Sequence, residues 1–253
     1  SNDENVWAHW SRGNYGPGDW SGSHNDLAAG VDLYHTDHSR AGISVMHTNS
    51  SLDRTENLGE VSMKKKFTRV SLYGRHDFAG GLHAAGDVFA GGIRIKDTSL
   101  VDMSTRTAGV HAEVCVDVPA GRGTITPLVR AAYAGIRGFT TKDGEGFPFT
   151  MKESHYSSFS AGLKASLPLS PVSLLTAYAG WGIRTGYDID GTMSDAWNTM
   201  DISESGKEHV KTLGIGYRCD VTLFARLSLS AAREFSSGLH DDWNFQVSAA
   251  YKF

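Results

Sequence analysis

The sequence predicts an all-β protein: a transmembrane, antiparallel, up-and-down β-barrel of about twelve strands. Three observations carry this expectation. First, the final eleven residues put Trp243, Phe245, Val247, Ala249, Tyr251 and Phe253 on one parity and Asn244, Gln246, Ser248, Ala250 and Lys252 on the other. Side chains of a strand alternate between faces, so one face is apolar and aromatic-ended and the other hydrophilic. In an outer-membrane barrel those faces meet lipid and a wet lumen, with aromatics at the interfaces. Second, the connections between strand candidates alternate long and short. Third, no stretch approaches the ~18 consecutive apolar residues that a membrane helix requires. A barrel strand needs an apolar residue only at every second position, so barrel crossing stays open.

The strand candidates are residues 5–15, 26–34, 40–48, 62–77, 82–96, 106–118, 124–138, 155–167, 172–187, 208–220, 224–235 and 242–253. An even count is what bacterial single-chain barrels require. Alternation is clean where Leu27, Ala29, Val31 and Leu33 interleave with Ala28, Gly30, Asp32 and Tyr34. It is clean again where Val110, Ala112, Val114, Val116 and Val118 interleave with His111, Glu113, Cys115 and Asp117. Phe159, Ala161, Leu163, Ala165 and Leu167 mark a third such strand. The pattern is poor in 82–96, where Asp87 shares a parity with Phe89 and Ile93. It is poor late in 224–235, where Arg233 joins the Leu227 and Leu229 face. A bulge, or a strand end above the membrane, is the expected cause of both.

Short connections fall at 35–39, 78–81, 119–123, 168–171 and near 220–223. Long ones fall at 16–25, 49–61, 97–105, 139–154 and 188–207, with 236–241 shorter. Tight periplasmic turns and extended outer loops produce this rhythm, which a soluble Greek-key sandwich has no reason to show. Both chain ends then lie on the periplasmic side. Aromatics near strand ends suit the membrane interfaces: Trp7, Trp10, Tyr73, Tyr133, Trp181, Tyr187, Trp243 and Tyr251. Trp20 and Trp197 fall in long connections and read as loop packing.

Bulk composition agrees without deciding. The chain has 253 residues, 40% hydrophobic and 21% charged, with net charge −4, so nothing recommends nucleic acid as a partner. Gly 29 against Pro 6 suits many closely packed strands. Cys115 reads as inward and Cys219 as outward, and opposite faces of a wall cannot meet disulfide geometry, so two free thiols are expected. The opening Ser1-Asn2-Asp3-Glu4-Asn5 lacks the basic start and apolar core of a signal peptide, so processing or truncation upstream is expected.

Four segments resemble the C-terminal translocator (β-domain) of classical autotransporters, the type V secretion proteins. Residues 5–13, NVWAHWSRG, resemble the family's tryptophan-bearing opening strand. Residues 27–32 with 41–45 resemble its second and third strands, and 70–74 through 80–82 its fourth strand and following turn. Residues 232–238 with 243–253 resemble its last hairpin. The resemblance implies that 1–253 form one barrel domain, a monomer in the Gram-negative outer membrane. It implies insertion by the barrel assembly machinery, which reads the final strand, here Val247, Ala249, Tyr251 and Phe253. It also implies an N-terminal passenger carried to the cell surface and a linker helix threading the lumen. Both are absent from these residues, because only Ser1–Asn5 precede the first strand.

The lumen is expected to be lined by Arg69, Glu113, Arg130, Lys164, Arg184, Arg218, Arg226 and Glu234, charges that need partners or water. Mixed signs suit an unfolded passenger and equally suit a small porin, the alternative reading. Enzymatic readings are weaker. Asn2-Asp3 could be the remnant of a self-cleavage site helped by Glu113, Asp117 and Glu234, or merely a chain boundary beside ordinary lumen polarity. The eleven histidines are scattered, and no GxSxG nucleophile elbow is present. His35-Thr36-Asp37-His38 reads as a solvated turn rather than a metal pair, and Lys64-Lys65-Lys66 as a solvated strand end near anionic headgroups. No cofactor, metal or catalytic residue is expected.

Overall fold

The computed structural model describes residues 5–15, 20–56, 59–97, 102–142, 148–186, 189–194, 199–204, 206–237 and 241–252. Its strands are β1 (Val6–Tyr15), β2 (Trp20–His35), β3 (Ser39–Glu56), β4 (Gly59–Asp77), β5 (Leu82–Asp97), β6 (Asp102–Val116), β7 (Val118–Ala120), β8 (Gly123–Ile136), β9 (Phe139–Lys142), β10 (Pro148–Met151), β11 (Ser154–Ser170), β12 (Ser173–Thr185), β13 (Ile189–Ser194), β14 (Thr199–Glu204), β15 (Lys207–Asp220), β16 (Ala225–Ser236) and β17 (Asp241–Tyr251). A short 3-10 turn at Ala79–Gly81 joins β4 to β5. Each barrel strand pairs antiparallel with its neighbours in the order β1–β2–β3–β4–β5–β6–β8–β11–β12–β15–β16–β17. Pairing of β1 with β17, from Val6 opposite Tyr251 to Asn14 opposite Trp243, closes the ring. The result is a twelve-stranded barrel, which leaves the sheet no free edge.

β7 continues β6. Cys115 faces Leu128 and Val118 faces Ile125 in one unbroken register. The interruption at Val116–Asp117 lies opposite Pro127, whose nitrogen carries no hydrogen to donate to the ladder. Asp117 instead donates its amide to the Gly81 carbonyl of the adjacent turn, at 2.8 Å.

The wall is a single layer with its greasy side out. Leu27, Leu33, Leu72, Leu163, Leu213 and Ile215 stand exposed on one parity, Ile215 at 66%. The buried apolar residues among those described are Ala28, Ile93, Cys115, Leu128 and Val210, all on the opposite, inner parity. Water would not tolerate so continuous an apolar exterior, whereas lipid tails solvate it. Cys115 and Cys219 are free thiols on the two opposite faces.

Tight turns gather at one end with both chain ends, and that end is periplasmic. At the other end the strands outrun their expected limits. β3 and β4 pair from Ser39–His76 out to Glu56–Gly59, converting most of the expected 49–61 loop into hairpin. The expected loops at 139–154 and 188–207 also contain strands. β9–β10 and β13–β14 form a separate four-stranded sheet joined through β10 and β13. Above the membrane both faces of a hairpin are wet, so no apolar alternation marks it in sequence. A tag inserted at 143–147 or 195–198, between the strands of these hairpins, should be tolerated and cut by protease added to intact cells. A tag beside Gly121 should be protected. Protection of both outer tags would reverse the orientation.

Of the two expected causes, a bulge is absent from both 82–96 and 224–235, whereas Arg233 does lie near the outer end of β16. β5 keeps continuous register with β4 and β6, and β16 with β17. Asp87, Phe89 and Ile93 simply share the inner face, and the Phe89 ring fills the space that Gly109 leaves open. Arg233 stays on the outer face, held 4.8 Å and 5.1 Å from the Phe235 and Trp243 ring centroids. Cation–π contact offsets the cost of a charge at that position. The register shifts that do occur lie at Asp32/Tyr34 and Pro168/Ser170, both next to periplasmic turns.

The outer end of the β5–β6 hairpin, above the crossing segment, carries a titratable clamp. Asp102 accepts hydrogen bonds from Arg94 Nε and Nη2 at 2.9 and 2.6 Å, with Lys96 Nζ 3.3 Å away. The Arg94 bonds hold its carboxyl down to about 2. For a depressed acid, stabilisation is complete above the ordinary value of 3.8 and is lost as pH falls towards 2. The group is fully exposed, so the effect stays local. Protection of the amides at 94–96, taken relative to their intrinsic exchange at each pH, should fall between pH 4 and pH 2, and be low already at neutral pH in Asp102→Asn. Equal exchange in both proteins at neutral pH would refute the clamp.

Candidate functional site: the barrel lumen

Eight strands make a barrel whose own side chains fill it, and sixteen or more leave an aqueous channel. Twelve lie between, so the inner wall matters. At the periplasmic floor three residues from three strands interlock. Trp7 Nε1 donates to Tyr73 Oη at 3.0 Å, and Tyr73 Oη donates to Asp32 Oδ1 at 2.6 Å. The two rings meet edge to face, centroids 5.9 Å apart. Glycines make room for them: a Cβ on Gly30 would lie 2.5 Å from the Trp7 ring, and one on Gly42 would lie 2.5 Å from Tyr73 Oη. Beside this group Trp7, His9, Arg40, Tyr73, Arg226 and Ser248 line a cavity of about 330 Å³. His9 Nδ1 lies 2.9 Å from Ser248 Oγ across the closing seam.

Several charges on the inner wall are paired. Arg130 bonds Glu113, its direct neighbour across the β6–β8 ladder, and its guanidinium lies 5.5 Å from the Tyr178 ring centroid. Arg184 holds Glu234 through both terminal nitrogens, the longer contact 2.7 Å, with Glu208 4.0 Å away. Arg226 Nε donates to Asp220 at 2.8 Å. Arg69 lies 4.9 Å from the Phe89 ring centroid. His83 spans two carboxylates, Nδ1 to Asp77 at 2.8 Å and Nε2 to Asp117 at 3.0 Å, while Thr126 donates to Asp117 at 2.5 Å. Paired, half-exposed ions keep their hydration partly and their mutual attraction partly, which is how a wet charged wall stays affordable.

This arrangement makes a polar inner wall of mixed charge. Thr126 is 1% exposed, and its hydroxyl donates to Asp117, the carboxylate that His83 also contacts. Among the described residues no group of three His, Cys, Asp or Glu side chains is placed to hold a metal ion. In the 35–39 turn, Thr36 Oγ1 accepts the Ser39 amide at 2.9 Å, giving that turn a structural cap.

The family model described as "Autotransporter beta-domain" matches residues 5–232. The chain belongs to the autotransporter β-domain family. Among solved structures, this β-domain resembles the beta domain of the Bordetella autotransporter BrkA (15% identity, TM-score 0.75, covering 99% of this chain and 100% of that one). It also resembles the transport unit of the autotransporter AIDA-I from Escherichia coli (16%, 0.75, 98% and 90%). A third likeness is the translocator domain of autotransporter NalP from Neisseria meningitidis (16%, 0.65, 98% and 88%). At such identities these likenesses speak for the fold. No curated protein sequence matches. The β-domain is integral to the Gram-negative outer membrane.

Placed on the β-domain, Arg69, Glu113, Arg130, Lys164, Arg184, Arg218, Arg226 and Glu234 all share the inner parity. Trp10, Trp181 and Trp243 stand outside, 41%, 44% and 44% exposed. Trp10 lies opposite Val247, well below Asn14, the partner of Trp243, so those two tryptophans do not share a level. Trp7, expected at the interface, instead faces inward, because its indole hydrogen finds Tyr73 there. Tyr73, expected in the girdle, faces inward for the same reason. Trp7 and Trp10 are three residues apart, so the alternation already forbade both from facing lipid. Ala249 and Tyr251 are exposed on the outer face, with Val247 on the same parity. Phe253, Asn2, Asp3, Tyr187 and Trp197 lie outside the described residues. Asp32 and His83 carry contacts that sequence reading did not single out.

Proposed function

We propose that residues 1–253 act as one translocator domain: a monomeric membrane anchor and conduit through which an N-terminal passenger reaches the cell surface. The observation that carries this reading is a closed ring with a polar inner wall holding ion pairs, into whose periplasmic end β1 opens beside β17. Chain upstream of β1 would join at that end, where a linker helix could enter the lumen. Weakly selective mixed charge suits a polypeptide of no fixed sequence better than it suits catalysis. Partners on this reading are the lipid bilayer, the barrel assembly machinery acting on the last strand, and the protein's own linker and passenger. A signal peptide and an epitope-tagged reporter fused upstream of Ser1 test it. Surface labelling of the reporter on intact cells is the expected result. A reporter held in the periplasm by a correctly folded barrel, with steady single-channel conductance from the purified domain, would favour a porin-like channel instead.

A further inference from the structure

The outer wall of β4, β5 and β6 carries a cluster of cations just above its apolar band. Register sets Lys66 directly opposite Arg94 and Lys64 directly opposite Lys96. Arg106 lies on the same outward parity of β6, opposite Gly92 and diagonal to Arg94. All five are exposed. Among the residues whose side chains the structure describes, the acids on this face are Asp102, bound to Arg94 and near Lys96, and Asp53 on the matching parity of β3. The five cations outnumber these two carboxylates.

Like charges placed directly across a ladder repel and destabilise the pair. Such a face gains a physical rationale if an anion of several charges bridges it. Lys66 stands about one crossing length, 9–11 residues, from the periplasmic turn, so the cluster lies at outer-leaflet headgroup height. Immediately below it Leu72, Val70 and Val88 are 59%, 54% and 52% exposed on the same face. Cations above exposed aliphatic side chains match a lipid with phosphates above acyl chains, and Arg and Lys both suit phosphate.

We propose that this face is a binding site for an outer-leaflet lipid whose headgroup carries more than one phosphate. Lys64, Lys66, Arg94, Lys96 and Arg106 hold the phosphates while Val70, Leu72 and Val88 contact the acyl chains.

The test uses the full chain folded in detergent, with diphosphoryl lipid A, monophosphoryl lipid A and phosphatidylethanolamine as probes and native mass spectrometry as readout. Wild-type protein should retain diphosphoryl lipid A at least tenfold better than phosphatidylethanolamine, with the monophosphoryl form between. Lys66→Gln/Arg94→Gln should lose most of that preference, and Lys211→Gln, a cation elsewhere on the outer wall, should keep it. Without lipid the double variant should unfold close to the wild-type temperature, since it removes a like-charge pair together with the exposed Arg94–Asp102 clamp. Equal retention of all three probes by wild type overturns the site, and this needs no variant to fold. Unchanged preference in the double variant, or equal loss in Lys211→Gln, overturns it as well.

Discussion

Arginine at Ile215 should prevent stable insertion of the barrel, while arginine at Thr212, three residues away on the same strand, should be accepted. Ile215 stands on the outer face, 66% exposed, in a cross-strand row with Ala177 and Ala231 and with Phe245 beyond. A basic side chain facing lipid near mid-membrane costs about 2–4 kcal/mol. That is a loss of roughly thirty- to several-hundred-fold in the folded population. Thr212 belongs to the inner parity and lies directly opposite Glu234, so a guanidinium there meets water and a carboxylate. Urea titration of both variants folded into vesicles, read by the unboiled gel shift, measures the difference. Equal midpoints would mean that the two faces are not solvated differently, and the membrane reading would fall.

Gly42→Leu should be the most damaging change on the inner wall. A Cβ at Gly42 would lie 2.2 Å from the Val31 carbonyl and 2.5 Å from Tyr73 Oη, so backbone as well as ring must move. Overpacking of this kind costs about 1–3 kcal/mol. Displacing the ring also breaks the Trp7–Tyr73–Asp32 chain, and stranding a buried acceptor adds about 1–3 kcal/mol. Tyr73→Phe keeps the ring and loses only the hydroxyl, so it should fall between wild type and Gly42→Leu. The expected order of urea midpoints is wild type, Tyr73→Phe, Gly42→Leu. A Gly42→Leu barrel as stable as wild type would show that the floor of the lumen does not need that close approach.

Where one face of a strand meets lipid, the alternation in the residues was enough to read it. Leu27 to Leu33, Val110 to Val118 and Phe159 to Leu167 each announced their outer face, because the solvent changes with every residue. Where both faces are wet, nothing in the pattern marks pairing, so the sequence shows only loop at the outer end of β3, at the first residues of β4 and in the small β9–β10–β13–β14 sheet. For Trp7 and Tyr73 the sequence is ambiguous, because an amphipathic ring suits an interface and a polar lumen equally well, and only a partner decides between them. The cation face is a third case: Lys64 and Lys66 are visible in the sequence, but Arg94, Lys96 and Arg106 join them only through register.

The sequence by itself determined which face of each strand meets lipid and which meets water, because that property is local to each strand and repeats at every second residue, whereas closure of the wall rests on the pairing of β1 with β17. Which inner residues touch, Trp7 with Tyr73, Arg184 with Glu234, His83 with Asp77 and Asp117, was decided only by the tertiary structure. Those contacts depend on strand register and on the glycines that let rings lie flat against the wall, and no single strand specifies either.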